Sequence, residues 1–518
     1  MDVLPAFGVK LPMGSGASPK YITASMLYNY VQCPHRVSLD LFGNPAERDT
    51  VSAFVQLLWD KGNAFEKEVI ENLRHPFVDL KTLYGEDKEK ATLEAMRRRE
   101  DLIYSGRIRS DDLVGEPDIL RRQNGGYVAG DIKSGSGEED ASEEEDGKPK
   151  KHYAVQLALY TDILERLKVS GGRTPFVWDI HNQEVIYDLD IPQGKRNPTS
   201  LWTTYKQVLS EVQYIVAKSE TTLAAYSSKC KLCHWRTVCL KAVTASKDLT
   251  LIPELGRSKR DKMISHVKDI NELACADLSC FMAAKGKKTI IEGVGPDTLV
   301  KFQNRAQLQV KPDAKPYCSS EVCLPPASKE IFFDIETDPM RDICYLHGFV
   351  ERRNQDNATE KYVAFLSTTP TPEEEERAFA EAWEYIKASR PCTIYYYSKY
   401  ERTIWRKLQQ KYPHVATEDD IEFLFEPQQS VDLYFDVVRK HTEWPTKDFS
   451  IKTLATYLGF SWRDTDPSGA ASIEWYHRWV ETGDEAVKQR ILIYNEDDCI
   501  ATRVLLDGIR GIVKLGEV

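Results

Sequence analysis

Two carboxylates and a lysine fall close together in the segment LVGEPDILRRQNGGYVAGDIKSG: Asp118, Asp131 and Lys133. Asn124-Gly125, between them, is a strong signal for a two-residue hairpin turn. With so short a turn Gln123 pairs with Gly126, and counting outward sets Asp118 opposite Asp131, on one face of the ribbon. Lys133, two residues further on, shares that face. A three-residue turn would shift the register, set Asp118 opposite Ile132 and spoil the convergence. Paired carboxylates suit a hard cation such as Mg²⁺. The cation lowers the pKa of a bound water, and a nearby lysine can orient that water or stabilise a developing oxyanion. That is the chemistry phosphodiester hydrolysis requires. The bland alternative is a hairpin with a surface salt bridge.

A second acidic set lies in the C-terminal part. KEIFFDIETDP reads as a buried strand with Ile331, Phe333 and Ile335 on one face and Asp334 and Glu336 on the other. Two carboxylates on one such face are costly unless a cation sits between them. ILIYNEDDCIATRVLL reads as a helix carrying Tyr494 and Asp498 four apart on one side. Between strand and helix, TIYYYSKYERTIW offers Glu401, and SVDLYFDVVRK offers Asp432, read as structural. A third group is made of thiols. Cys230, Cys233 and Cys239 form C-x2-C-x5-C in KCKLCHWRTVC, and Cys33 stands about 200 residues earlier in SMLYNYVQCPHRVSLD. Spacing alone makes zinc the default occupant, although thiolates also hold iron–sulfur clusters, whose ligands can be distant in sequence.

The elements that must position these residues follow from the patterning. KGNAFEKEVIENL reads as a helix bearing Glu66, and YAVQLALYTDIL as a helix with Gln156 and Tyr160 four apart on one face. A chain of 518 residues, 42% hydrophobic and 29% charged, exceeds one ordinary core and reads as a multidomain globular protein. Residues 1–20 read as a flexible lead-in, 21–248 as a first domain, 249–322 as a helical connector and 323–518 as a second α/β domain. Within the connector, IEGVGPDTLVKF has the look of a helix-hairpin-helix element, with LIPELGRSKRDKMISHV a weaker copy; such hairpins can offer N–H groups to phosphate, the alternative being a plain spacer. Gly135–Lys150, with its acidic run Glu138–Asp146, reads as a solvated loop. No apolar run approaches the roughly 18 residues of a membrane span, and the N-terminus does not resemble a signal peptide, so a reducing cytoplasm is expected. The net charge of −11 runs against a nucleic-acid binder, although basic clusters occur at Arg97–Arg99, Arg121-Arg122, Lys148–Lys151 and Lys285–Lys288.

GEPDIL, then GDIK, then QLALY, in that order, resembles the RecB-type branch of the PD-(D/E)XK nucleases. The resemblance implies a restriction-endonuclease-like fold, metal ligands at Asp118, Asp131 and Glu66, a catalytic lysine at Lys133 and support from Gln156 and Tyr160. Many such nucleases carry histidine where Glu66 stands. One cysteine before the nuclease core and three after it is similar to the iron–sulfur members of that branch, which implies a [4Fe-4S] cluster on Cys33, Cys230, Cys233 and Cys239 stapling the domain's ends, with zinc as the alternative. DIET followed by YNEDD resembles a DnaQ-type exonuclease on an RNase H-like fold, in the variant with a YxxxD motif. This implies Asp334, Glu336 and Asp498 as ligands of two Mg²⁺ or Mn²⁺ ions, Tyr494 orienting water, and Glu401 in a position where most relatives have aspartate. With FSIKTLATYLGF and SIEWY added, the chain resembles a prokaryotic group of predicted RecB-like nucleases with an attached RNase H-like domain. The expectation is a metal-dependent nuclease with two centres, acting on DNA ends or strands and also on RNA. A separate helicase is a candidate partner, since no phosphate-binding Gly-Lys-Thr/Ser loop occurs in the sequence. The competing expectations are a nucleic-acid clamp or scaffold with inactive sites, and a redox sensor built on the cysteines.

Overall fold

The computed structural model describes residues 20–139, 148–194, 197–283, 288–465 and 467–516. The lead-in, most of the acidic run Glu138–Asp146, and Lys285 and Lys287 of the last basic cluster lie outside the described residues. The chain divides into two compact units, residues 1–224 with 228–240, and residues 225–227 with 241–518.

In the first unit a six-stranded mixed sheet is built from β1 (Val78–Asp79), β2 (Leu102–Tyr104), β3 (Ile119–Gln123), β4 (Gly126–Ile132), β5 (Phe176–Trp178) and β6 (Glu184–Ile186), in the spatial order β6-β5-β4-β3-β2-β1. Asn124 and Gly125 both take positive φ, 51° and 81°. This is the conformation that matches a two-residue turn to the twist of its strands. The pairing then runs Gln123 with Gly126 out to Ile119 with Gly130, the register expected from the sequence. Every residue of β4 is buried, and its side chains alternate between two apolar layers. Tyr127 and Ala129 join the core around helix α1 (Ala24–Gln32) and a long buried helix, Lys151–Arg166. Val128 and Ile132 face Val69 and Ile70 of the helix Ala53–Glu71. Alternation places Asp131 on the side of the helix Lys151–Arg166.

The end of this unit returns to its beginning. Asp40, in α2 (Pro34–Phe42), accepts from His234 Nε2 at 2.6 Å and Trp235 Nε1 at 2.8 Å. His234 also accepts the Asp49 N–H through its carbonyl, and Trp235 is buried.

In the second unit residues 249–310 form a small helical body. The helices Gly256–Met263, Ile270–Cys275 and Pro296–Val310 close over Leu249, Ile252, Leu273, Leu299 and Phe302. Gly293 has φ 76° in the turn that starts the helix Pro296–Val310. In the weaker hairpin copy, Glu254 is occupied by Arg305, Lys301 and Arg439. Beyond lies a five-stranded sheet of β7 (Lys329–Asp338), β8 (Ile343–Arg353), β9 (Asp356–Leu366), β10 (Thr393–Tyr396) and β11 (Ser430–Asp432), ordered β9-β8-β7-β10-β11. The first three strands are antiparallel, and β10 and β11 add in parallel. The central strand β7 has both faces covered. Ile331, Phe333 and Ile335 pack against the helices Pro372–Ser389 and Tyr400–Lys411 through Phe379, Trp383 and Trp405. Phe332 packs against Cys499, Leu505 and Ile509 of the terminal helix Glu485–Gly516. Alternation turns Asp334 and Glu336 toward that helix.

On the opposite face, the fully buried His347 of β8 sits under the helices Pro372–Ser389 and Tyr400–Lys411, where Trp405 Nε1 donates to its Nδ1 at 3.2 Å. Burial pushes its pKa down from 6.5 to about 3, so the ring is neutral in the fold and takes up a proton on unfolding below pH 6.5. Its contribution is therefore present above pH 6.5 and is lost as pH falls toward 3, by about 1.4 kcal/mol per pH unit. We expect the stability advantage of wild type over His347→Gln, read from urea unfolding of the full chain, to shrink with that slope between pH 6.5 and 4.5. A pH-independent difference would show that the ring is not buried neutral.

Candidate active sites

At the open end of the β3–β4 ribbon the backbone and side chains of two aspartates interlock. Ile132 N–H donates to Asp118 Oδ2 at 2.8 Å, and Asp118 N–H to Asp131 Oδ1 at 3.4 Å. Lys133 Nζ lies 2.9 Å from Asp131 Oδ2, its backbone held by the Trp178 carbonyl. Burial, then the charge of Asp131, push the Asp118 carboxyl up to about 8, with Lys133 pulling it part of the way back. Burial acts to lower the Lys133 ammonium, but Asp131 and Asp118 outweigh it and hold it above its ordinary value. Three of the residues singled out from the sequence thus meet.

Glu66 faces the same charges and adds to the upward push on Asp118, but its carboxylate is engaged elsewhere. Tyr104 OH donates to it at 2.6 Å and Lys81 Nζ at 3.1 Å. Gln156 and Tyr160 are buried side by side, with Gln156 Nε2 3.1 Å from the phenol and Tyr160 OH 3.4 Å from the Glu116 carbonyl. Gln156 Oε1 has no hydrogen-bond partner among the described residues. Tyr160 reaches this point because residue 115 is glycine: a Cβ there would stand 2.4 Å from the ring. Sequence reasoning missed Lys81 and Tyr104, and also Lys88 and Arg107, which pair with Glu116.

The second site is tighter. Ligand oxygens of Asp334, Glu336 and Asp498 all lie within 4.8 Å of one another, the one such acidic, His or Cys group of three among the described residues. Each carboxylate has its own donors. Asp334 accepts from Asn495 Nδ2 at 2.7 Å, Glu336 lies 3.4 Å from Tyr345 OH, and Asp498 accepts from Trp462 Nε1 at 2.6 Å. Lys452 Nζ bonds the Tyr494 phenol at 3.2 Å. Burial comes first in raising all three carboxyls. The charge of Asp498 adds to it for Asp334 and Glu336, while Lys452 offsets part of the rise; Glu336 is pushed to about 8. Tyr494 hydrogen-bonds Asp498. Glu401 is outside the group of three but shares its field. It is buried at the start of the helix Tyr400–Lys411, Oε2 lacks a hydrogen-bond partner among the described residues, and burial chiefly raises its carboxyl. Asp432 is engaged structurally, its Oδ1 accepting the N–H groups of Ser398, Tyr434 and Phe435. Asn495, Lys452 and Trp462 were not singled out from the sequence. Of these, Asn495 and Lys452 sat within motifs already in view, YNEDD and FSIKTLATYLGF.

Residues 27–240 match the family model of the PD-(D/E)XK nuclease superfamily, and residues 331–509 that of the RNase H superfamily. The chain joins a PD-(D/E)XK nuclease domain to an RNase H-like domain. A search of the curated proteins finds no match. Both are nuclease superfamilies, so the chain is a metal-dependent nuclease, and nucleic acid is its substrate class. No described helix is long and apolar enough to cross a membrane.

In the PD-(D/E)XK domain the cysteines gather where the two ends of the fold meet. Cys33 joins α1 to α2, Cys230 lies in the turn Ser228–Leu232, and the Cys233 N–H bonds the Cys230 carbonyl. Burial raises the Cys233 thiol, and the neighbouring Cys33 and Cys230 raise it further. Lys133 is the internal counter-charge of this domain's acidic site. Lys133→Met leaves the buried Asp131 carboxylate without its ammonium partner and is expected to destabilise the chain by about 3–5 kcal/mol. Adding Asp131→Asn should recover most of that loss. Urea unfolding of the two variants checks this, and an undiminished loss in the double variant would show that packing, not charge, is at stake.

Proposed function

We propose that the chain hydrolyses phosphodiester bonds of DNA, and also of RNA, at two separate centres. In the first, Asp118, Asp131 and Glu66 hold the cation, Lys133 orients the attacking water or meets the developing charge, and Gln156 and Tyr160 support them. In the second, Asp334, Glu336 and Asp498 hold Mg²⁺ or Mn²⁺, Tyr494 orients the water, Glu401 completes the acidic set, and removal proceeds from a 3′ end. The observation that carries the reading is the triad Asp334–Glu336–Asp498, whose ligand oxygens lie within 4.8 Å of one another, with Glu336 buried and the two aspartates partly so. So many like charges are stable together only with a cation among them, and hard oxygen donors select Mg²⁺ or Mn²⁺. Bound there, the ions would supply positive charge to the phosphate and a more acidic water.

The first centre would be assembled differently. Lys81 and Tyr104 hold Glu66 back, so in this reading Glu66 joins Asp118 and Asp131 only when the cation is present. The crowded thiols of Cys33, Cys230 and Cys233, with Cys239 one helical turn on from Trp235, fit a metal centre made of thiolates. We assign them a [4Fe-4S] cluster, with zinc as the alternative, on the strength of the family resemblance. A reducing cytoplasm suits such a cluster, and a separate helicase would supply opened strands.

Asp118→Ala or Lys133→Ala should abolish one cleavage activity by about 100-fold or more, and Asp334→Ala a distinguishable second one, measured on labelled single-stranded DNA, duplex DNA and RNA with Mg²⁺ or Mn²⁺. A double variant that digests every substrate as well as wild type would refute both assignments. Protein purified without oxygen should be coloured, and Cys233→Ala should bleach it. A colourless, zinc-loaded preparation would overturn the iron–sulfur assignment.

A further inference from the structure

The terminal helix carries, one residue after Tyr494, a side chain that no motif assigns. Asn495 is fully buried, which is expensive for an amide unless both its ends are bonded. Both are. Its Nδ2 donates to Asp334 Oδ2 at 2.7 Å, and its Oδ1 accepts from Tyr362 OH, on β9, at 2.8 Å. A carboxylate only accepts, so the NH₂ end must face Asp334 and the oxygen must face the phenol.

The sheet makes room for this bridge. Gly348 of β8 is the register partner of Asp334. A Cβ at residue 348 would stand 1.6 Å from Asn495 Oδ1 and 3.2 Å from Tyr362 OH. The amide therefore occupies the space that a side chain opposite Asp334 would fill. Gly348 interrupts an otherwise continuous buried strand, ICYLHGFV, where glycine signals a close approach rather than a turn.

We infer that Asn495 is a positioning residue of the second centre, with Tyr362 and Gly348 as its supports. It fixes one oxygen of Asp334 and leaves the other for the cation. This rests on the reading of Asp334 as a metal ligand. The neutral amide suits the task. An aspartate at 495 would add a further negative charge beside the triad, and a lysine would compete with the cation. Groups that orient a ligand from behind commonly change metal affinity or activity by about 10- to 100-fold, and the same scale applies here.

The test uses the full-length chain in an Asp118→Ala background, so that turnover reports the second centre. Mn²⁺ binding is followed by the loss of its free-ion paramagnetic resonance signal, alongside steady-state kinetics on a labelled oligonucleotide and thermal melting. Asn495→Ala should weaken Mn²⁺ binding and lower kcat by about 10- to 100-fold, with the oligonucleotide KM changed less than about two-fold. Tyr362→Phe should do the same to a smaller extent, and Gly348→Ala should match Asn495→Ala. The Gly348→Ala/Asn495→Ala pair should be no worse than either alone, since both remove one bridge. Asn495→Ala that binds Mn²⁺ and turns over like the parent, while Asp334→Ala is dead, overturns the inference alone. Asp334→Ala with full activity overturns the underlying assignment as well. Should Asn495→Ala fail to fold, Tyr362→Phe decides: a folded protein with unchanged Mn²⁺ affinity overturns the role, and a weakened one supports it.

Discussion

Holding several negative charges next to one another, away from water, is the constraint around which the second unit is arranged. Asp334 and Glu336 are two residues apart on the central strand, and Asp498 comes from a helix more than 150 residues later. Their oxygens nonetheless lie within 4.8 Å of one another. Repulsion and lost solvation both oppose that arrangement. What opposes them in turn is a scaffold with little freedom to relax: β7 is covered on both faces, and the terminal helix is fastened over it by Cys499, Leu505 and Ile509 packing on Phe332. The donors come from separate elements, Asn495 and Trp462 by hydrogen bond and Lys452 by charge. The first unit answers the same problem with an ammonium inside the site, since Lys133 lies 2.9 Å from Asp131. A built-in cation permits a looser acidic set, and there the third carboxylate, Glu66, is parked on Lys81 and Tyr104.

The parts of this arrangement that were legible in the sequence are those fixed by local rules. Asn124-Gly125 demanded positive φ at both turn positions, which set the register of β3 and β4 and brought Asp118 to Asp131. Alternation in KEIFFDIETD told which residues of β7 share a face, and helical spacing paired Gln156 with Tyr160 and Tyr494 with Asp498. What local rules cannot reach is which surfaces of different elements meet. Lys452 lies in the motif FSIKTLATYLGF and Trp462 just beyond it, but neither segment's local pattern tells that these side chains reach the second site. Lys81 follows a two-residue strand, and nothing in its neighbourhood foretells that it would bond Glu66 fifteen positions earlier. Glu401 shows the boundary case. Its presence near the acidic set was legible by motif order, but its exclusion from the tight triad depends on where the helix Tyr400–Lys411 starts relative to β10.

Long-range closure explains why the first unit behaves as one body despite its short strands. Its two ends are some 200 residues apart in sequence, and Asp40 joins them by accepting from both His234 and Trp235. Burial acts to raise the Asp40 carboxyl, but the hydrogen bond and charge of His234, aided by Arg36, hold it below its ordinary value. It is thus an ionised anchor rather than a passive contact. Closing so long a loop costs only slightly more than closing a short one. A few strong contacts at the junction suffice, and the cysteines are placed beside them.

A shared device connects the two sites. In each unit one strand glycine stands near the acidic residues and admits a polar side chain from a long helix. Gly115 gives way to Tyr160, whose hydroxyl then reaches the Glu116 carbonyl, and Gly348 gives way to the Asn495 amide. A strand glycine costs about 0.5–1 kcal/mol relative to alanine, so neither position is favoured by strand stability itself. The vacated volume is spent on a hydrogen-bonding group that a Cβ would have displaced by ångströms rather than tenths. In both cases the helix residue is the neighbour, in sequence or along one helical face, of a residue the motif already marks: Tyr160 lies one turn from Gln156, and Asn495 follows Tyr494. An acidic motif on a strand therefore constrains two further positions, the glycine that faces the incoming helix and the polar residue that fills the gap. In the second unit that polar residue, Asn495, bonds a carboxylate directly, at Asp334; in the first, Tyr160 bonds the backbone beside the acidic residues.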